Sequence, residues 1–185
     1  MSTSSNTNKS LALINSDMED TDEQSQFLTF TLREETFAIG ILHIKEILEY
    51  GQLTPVPMMP NYIRGVINLR GAVVPVVDLG ARFGDMPSEI TKRTCIVIIE
   101  VATDEGEQDI GVVVDSVTEV LEIPDHDIEP APSFGARIRT DFISGMGKIN
   151  GEFVIILNVD RVLSVDELAA LNTLGSTPAK KEDSR

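Results

Sequence analysis

The chain contains the same pattern twice, and this internal repeat limits its fold more strongly than any other feature. Residues 37–49 (FAIGILHIKEILE) align with residues 110–122 (IGVVVDSVTEVLE), and residues 63–79 align with residues 143–159. A repeated segment builds the same supersecondary unit each time it occurs. The sequence therefore predicts two similar halves.

The second pair of matching segments also aligns residues that set local geometry. The aligned residues are Gly65 with Gly145, Gly71 with Gly151, and Asp78 with Asn158. The offset between the copies then grows by the length of FGARIRT, residues 134–140, so we place an insertion of the second copy there. Ordered matches with coincident glycines favour a duplication over a chance similarity of short β-rich runs.

Short strands separated by turn signals fill both halves. FLTFTL (27–32) leads into EETFAIGI (34–41) through a turn at Arg33-Glu34-Glu35, and CIVIIEV (95–101) leads into DIGVVVD (109–115) through an acidic loop. Runs rich in β-branched and aromatic residues on both sides of a polar turn predict β-hairpins.

Two further segments connect these hairpins to the rest of each half. LHIKEIL (42–48) and DSVTEVL (115–121) are too short to form stable helices alone, so each is predicted to form one helical turn before the next strand. The strand number and turn spacing predict two small barrels of about five strands, because closing a sheet removes its exposed edges. We expect the barrels to pack against each other along a seam.

Composition marks the ends of the folded region. Residues 1–26 are polar and acidic without periodicity, and residues 172–185 have a similar character, so both are predicted to be flexible tails. We assign residues 27–171 to one compact region. The two copies divide near residue 90, and the chain is free to cross between the barrels.

One helix is well specified near the C-terminus. Ser164 and Glu167 form a capping box, and Leu163 and Leu168 occupy the staple positions around it. The pattern predicts a helix over residues 165–174 that stops at the following glycine.

The two copies differ at a hairpin tip, which is Arg70-Gly71 in the first and Asn150-Gly151 in the second. A type I′ loop needs positive φ at both central residues, which Asn and Gly adopt readily. An arginine held in that conformation costs on the order of 1 kcal/mol. Either Arg70 adopts a different turn and points into water, or it is held at a rigid tip to offer its planar guanidinium to a partner. The difference between the copies favours the second interpretation.

The charge limits the partners that the chain can have. The net charge is −15, and the acids cluster in residues 17–23, 103–109 and 122–129 with no basic stripe to offset them. Phosphate groups would be repelled, so nucleic acid and anionic membranes are excluded as partners. The start of the chain is polar and its apolar island LALI (11–14) is far shorter than a membrane span, so we expect no signal peptide and a cytoplasmic protein.

The residue pattern predicts no enzyme, metal site or cofactor. Asp78 and Asp115 end two strands but lack the Ser or Thr and Gly that follow the aspartates of an aspartic protease, so we expect them to accept hydrogen bonds from turns. His43 and His126 have no Cys or His ligand nearby, which argues against zinc. Cys95 is expected to be a buried thiol in a strand.

Four segments closely resemble the CheW coupling-protein family of bacterial chemotaxis, from about Phe27 to Leu171. They are FAIGILHIKEIL, GVINLRGAVVPVVDL, GVVVDSVTEVLEI and FISGMGKINGEFVIILNVDRVL. The resemblance implies a mainly β fold of two tandem five-stranded SH3-like barrels. It also implies a non-catalytic adaptor that couples the regulatory domain of the histidine kinase CheA to the cytoplasmic tips of methyl-accepting chemoreceptors. The residues that it links to partners are Glu46 and Arg70, with Asn68 of the NLRG motif beside them.

A second, apolar docking surface is expected along the seam, where it would receive a receptor helix. The candidates are the exposed members of two matching runs: Ile39, Ile44, Val112 and Val114. Alternate strand residues face opposite sides, so each candidate competes with a plain role in the barrel core. Two other functions stay open: a small-molecule-binding barrel with its pocket at the seam, and a truncated CheV-type scaffold of the same family.

Overall fold

The structure, a computed structural model, describes residues 25–84, 86–131 and 138–164. The predicted helix over residues 165–174, the C-terminal tail and nearly all of the N-terminal tail lie outside the described residues. Within them the chain is built mainly of strands, with two single-turn α-helices and three 3₁₀ turns. The predicted fold class is confirmed.

Eleven strands follow one another along the described chain. They are β1 (Gln26–Leu32), β2 (Glu35–Gly40), β3 (Ile44–Glu49), β4 (Ile63–Leu69), β5 (Ala72–Asp78), β6 (Cys95–Thr103), β7 (Gly106–Val114), β8 (Ser116–Glu122), β9 (Ile128–Glu129), β10 (Ile143–Ile149) and β11 (Glu152–Leu157). Helix α1 (Leu79–Arg82) follows β5, and helix α2 (Val159–Val162) follows β11. Both predicted hairpins, β1–β2 and β6–β7, are confirmed.

These strands form two sheets with matching strand orders. The order is β3-β6-β7-β5-β4 in the first, here called barrel 1, and β8-β1-β2-β11-β10-β9 in the second, called barrel 2. Each contains one parallel pair, β5 with β7 and β2 with β11, among antiparallel neighbours. Side chains from all five strands of barrel 1 meet in one apolar cluster, so this sheet curls around its own interior.

The chain crosses between the barrels, so each barrel contains strands of both sequence copies. The first copy gives hairpin β1–β2 to barrel 2 and its other strands to barrel 1, and the second copy gives β6–β7 to barrel 1. Both crossings are short, because a 3₁₀ turn at Ile41–His43 joins β2 to β3 and Asp115 alone joins β7 to β8. A boundary near residue 90 therefore separates the sequence copies and not the barrels.

The aligned residues occupy equivalent places in the two barrels. The ladders of β4 and β10 both shift register just before the aligned glycines, Gly65 and Gly145. The Asp78 side chain caps α1 by accepting from Ala81 N, and Asn158 caps α2 in the same way. Such N-caps satisfy a helix amide that has no partner within the helix. The repeat in the sequence is therefore a repeat in the structure.

The predicted helical turns are only partly right. A 3₁₀ turn does occur at Ile41–His43, but residues 44–49 form β3, and residues 116–122 form β8 without a helical turn before it. Burial along β3 alternates residue by residue, as in a strand with one covered face. Pairing with β6 and β1 thus overrides the helical tendency of these short segments.

The central strands are apolar throughout because both of their faces are buried. On β6, Ile96 and Ile98 point into barrel 1, whereas Val97 and Ile99 join a larger cluster that both barrels share. A smaller cluster around Ile156 fills barrel 2. A strand covered on both sides appears in sequence as a continuous hydrophobic run. The seam between the barrels is therefore a shared core.

Candidate partner-binding site

The Arg70-Gly71 tip has the backbone of a left-handed two-residue loop. Arg70 has a φ of 52° and Gly71 a φ of 87°, and Asn150 and Gly151 in barrel 2 have φ values of 51° and 82°. Both tips thus carry the two positive φ values that a type I′ loop needs. The alternative that Arg70 adopts a different kind of turn is wrong. Arg70 bears a conformational strain that Asn150, at the aligned position of barrel 2, avoids.

The Arg70 guanidinium pairs with the Glu46 carboxylate. Glu46 lies on β3 and Arg70 follows β4, and these two strands are the opposite edges of the sheet in barrel 1. The Arg70 side chain is 72% exposed and that of Glu46 is 25% exposed. The two residues that the resemblance links to partners therefore lie in contact, across the gap between the sheet edges.

The Asn68 side chain is engaged with the same tip. Its Oδ1 accepts a hydrogen bond from Gly71 N at 2.9 Å. Asn68 is exposed and lies directly opposite Val73 on the neighbouring strand. Arg70, Glu46 and Asn68 thus form one cluster, which we call the tip cluster.

Lys45 carries a second set of ionic contacts on the same edge strand. Its Nζ lies 3.1 Å from Asp109 Oδ2 and 3.5 Å from Glu100 Oε2. The hydrogen bond from Lys45 to Asp109 and the charges of both acids raise the pKa of Lys45 above its ordinary value of 10.5. The lysine is therefore protonated at neutral pH, and its charge is already matched by acids.

The seam candidates are mostly wrong as an exposed surface. Ile39, Val112 and Val114 are almost completely buried in the core that both barrels share, and Ile44 is half-buried against it. The prediction placed them correctly at the seam. It failed on exposure because the two sheets meet there face to face, leaving those side chains no access to a partner.

The exposed apolar side chains lie elsewhere, and sequence reasoning missed them. Val73 near the tip cluster is 70% exposed, Leu42 in the first crossing is 60% exposed, and Ile47 on β3 is 44% exposed. The alternation of β5 would have flagged Val73, since Val74 and Val76 face the interior. Leu42 gave no signal, because nothing in the sequence marks a crossing between barrels.

Asp78 and Asp115 hold turns, as predicted. Asp115 Oδ2 accepts from Arg33 N at 2.8 Å in the turn between β1 and β2. Asp78 is fully buried and accepts from Arg64 Nε, from Ser88 N and from Ser88 Oγ, each at 2.9 Å. A buried carboxylate with this many donors is a structural anchor.

Other candidate chemistry is limited in the described part of the chain. No group of three or more His, Cys, Asp or Glu residues is placed to hold a metal ion in residues 25–84, 86–131 and 138–164. Over the same ranges, no helix has the length and apolar character to cross a membrane. Cys95 is half-buried, so the expectation of a buried thiol is wrong in degree, and its Sγ donates to Arg93 O.

Comparison with known proteins decides the family. A family model described as the CheW-like domain matches residues 26–167. The chain belongs to the CheW-like family. Among relatives, the chemotaxis protein CheW of Klebsiella aerogenes is 32% identical over 152 residues, covering 82% of this chain and 89% of that protein. The CheW protein of Helicobacter pylori is 36% identical over 151 residues, covering 82% and 88%.

A solved structure in the family supports the same assignment. The crystal structure of the scaffolding protein TtCheW from Thermoanaerobacter tengcongensis matches with a TM-score of 0.68 and 33% identity, covering 75% of this chain and 87% of that one. This CheW-like chain is a non-catalytic chemotaxis coupling and scaffold protein. The family assignment thus makes the chain a scaffold and not a catalyst.

Proposed function

We propose that the chain is the adaptor that couples the regulatory domain of the histidine kinase CheA to the cytoplasmic tips of methyl-accepting chemoreceptors. The observation that carries this proposal is the tip cluster, where Arg70 and Glu46 meet at an exposed position although 24 residues separate them. The resemblance to CheW links these two residues to partner binding. We place the chain in the cytoplasm, recruited to receptor arrays at the membrane.

The energetics of the Arg70–Glu46 pair fit a binding role better than a folding role. An exposed ion pair adds only about 0–1 kcal/mol to stability, because water screens both charges. Left-handed backbone at Arg70 opposes folding by a similar amount. The tip therefore contributes little net stability. A contact between Arg70 and a partner would explain why a strained arginine stands there.

The mechanism is geometric, because coupling needs two partners to be held in a fixed relation. Both barrels share one hydrophobic core, and Arg82 Nε on the first helix donates to Val162 O on the second at 2.9 Å. A joint of this kind resists rotation of one barrel against the other. Partners docked on different faces would thus keep a constant spacing, and several weak contacts would combine into one array.

An apolar surface near the tip cluster replaces the seam in this proposal. Val73 lies opposite Asn68 on the neighbouring strand, and Ile47 follows Glu46 on β3 but faces the other, exposed side of that strand. Both side chains are exposed to a partner. Burying one such side chain in a partner contributes about 1.5–3 kcal/mol, more than a rim charge does. We propose that Val73 and Ile47 supply most of the affinity for the partner and that Arg70 orients the partner on the surface.

The test is receptor-dependent stimulation of CheA phosphorylation with the purified chain. We expect Arg70→Glu to reduce stimulation at least tenfold and to change the urea midpoint little. Lys148→Glu is the matched control, because it reverses a charge on the equivalent hairpin of barrel 2. Full stimulation by a folded Arg70→Glu protein would reject the assignment of Arg70.

A further inference from the structure

The two hairpin tips have the same left-handed backbone conformation but carry different residues. Asn150 and Arg70 both sit at φ near 50°. Asparagine visits this region readily, because its short polar side chain can bond to nearby backbone, whereas arginine has no such advantage. Barrel 1 therefore needs support for its tip that barrel 2 does not need.

Asn68 supplies that support. The central amides of a two-residue loop have no partner in the strand ladder, so Gly71 N–H is a donor without a backbone acceptor. Asn68 Oδ1 accepts from it at 2.9 Å. The aligned residue in barrel 2 is Lys148, whose ammonium group can only donate and cannot cap Gly151 N–H. The capping acceptor occurs at the tip that carries the strained arginine.

We propose that Asn68 is a positioning residue: it holds the Arg70-Gly71 loop in its left-handed form and so aims Arg70. Asn68 does this through the backbone of Gly71, without touching the partner itself. This inference deepens the proposed function and rests on it for the role of Arg70. The holding of the loop does not depend on that role.

The expected effect on binding follows from the fraction of chains with a formed tip. If only a fraction of the free protein holds the competent loop, the apparent dissociation constant rises by the inverse of that fraction. Loss of one hydrogen bond to a turn amide shifts such an equilibrium by about fivefold. Asn68→Ala should therefore weaken binding by at most fivefold, and by less if the loop is mostly formed in the free parent chain. Asn68→Asp, which keeps the acceptor, should restore most of the lost affinity.

The first measurement is amide hydrogen exchange by NMR, which is independent of any partner. In Asn68→Ala we expect exchange of the Gly71 amide to be about fivefold faster than in the parent chain, with Asn68→Asp within about twofold of it. Lys148→Ala should leave the exchange of Gly151 unchanged. An unaltered Gly71 rate in a folded Asn68→Ala protein overturns the proposal.

The second measurement is capture of the chain by CheA and by receptor fragments, in single and double variants. In the Arg70→Ala background, Asn68→Ala should have no further effect, because no guanidinium is left to aim. A further loss in that background would mean that Asn68 contacts the partner, and the proposal would be rejected. If Arg70→Ala alone leaves binding intact, the proposed function fails instead, and hydrogen exchange still decides whether Asn68 holds the tip.

Discussion

Barrel 1 and barrel 2 share the order of five strands, to which barrel 2 adds β9, and they differ in charge at several aligned positions. Three charged residues of barrel 1 are replaced by neutral ones at the aligned positions of barrel 2. The aligned pairs are Arg64 with Ser144, Arg70 with Asn150, and Asp78 with Asn158. Because barrel 2 closes without these charges, the fold itself does not require them. These three charges are therefore not needed for strand pairing as such.

Two of these charges fasten the connection between the sequence copies. Asp78 binds Arg64 and both donors of Ser88, and Ser88 lies in the segment that leads from α1 to β6. Asn158 has the simpler task of capping α2, through Arg161 N at 3.3 Å. The third charge, on Arg70, faces outward with Glu46. The comparison thus separates two charges that anchor the chain from one that is exposed at the surface.

The largest expected difference between the barrels is at these caps. Asp78→Ala should lower the free energy of unfolding by about 3–5 kcal/mol, because it leaves Arg64 partly buried without its counter-ion. Asn158→Ala should lower it by about 1 kcal/mol, as expected for a lost N-cap. Urea unfolding of both variants measures the difference. Equal losses would show that Asp78 is only a cap.

The glycines at the register shifts should differ less. A methyl group at Gly65, where φ is 150°, would lie 2.5 Å from the backbone oxygen of Thr54, which cannot move easily. At Gly145 it would meet the Cγ2 methyl of Ile128 at 2.7 Å, and the nearest backbone atom, the oxygen of Glu129, is farther away at 3.1 Å. We expect Gly65→Ala to lose about 3 kcal/mol and Gly145→Ala about 1–2 kcal/mol. Thermal melts of the two variants test this order.

Exchanging the two tips should have smaller and unequal effects on stability. Asn150→Arg places a strained residue in barrel 2 and should cost about 1 kcal/mol. Arg70→Asn relieves the same strain in barrel 1 but loses the pair with Glu46, so its stability should stay within about 0.5 kcal/mol of the parent chain. Denaturant midpoints give both values. A large loss for Arg70→Asn would make the ion pair a folding element.

The smallest effects are at the extremes of pH, and each barrel should respond at a different end. In barrel 2, the hydrogen bond from Arg139 lowers the pKa of Asp141 below its ordinary value of 3.8. The Asp141 carboxylate therefore adds to the free energy of unfolding above that pH, and this addition is lost as the pH falls through the pKa of the folded state. In barrel 1, Lys45 has a pKa raised above 10.5. Its ammonium group therefore adds to the free energy of unfolding below pH 10.5, and this addition is lost as the pH rises through the pKa of the folded state.

Two neutral variants separate the acid part of the stability profile from its alkaline part. Asp141→Asn should flatten the stability profile below about pH 4, and Lys45→Gln should flatten it above about pH 10. Melting temperatures across the pH range measure both. If Asp141→Asn loses as much stability at low pH as the parent chain does, another carboxylate is responsible for that loss.

The sequence predicted local features well and the connections between them poorly. Turn chemistry located the β1–β2 and β6–β7 hairpins and the Asn150-Gly151 tip, because those signals are contained in a few adjacent residues. The contact of Glu46 with Arg70 could not be derived, since it depends on how the edges of a curled sheet meet. The resemblance named both residues but not their pairing.

The seam shows why burial was harder to predict than strand position. Val112 and Val113 are adjacent on β7 and equally apolar, yet one lies in the shared core and the other inside barrel 1. Period-2 alternation separates faces only when one of them is polar. With both faces covered, the sequence does not state which face meets the second barrel.

The exchange of hairpins between the sequence copies has a consequence for synthesis on the ribosome. Barrel 1 has all of its strands once Val114 has emerged, but the hairpin made first, β1–β2, belongs between β8 and β11, which are made later. The earliest strands of the nascent chain must therefore wait for nearly the last ones. Any pause in translation beyond β7 would leave the side chains of Phe27 and Ala38 uncovered, because the residues that cover them inside barrel 2, such as Ile156, come later in the chain. This interval is where a chaperone would protect the chain.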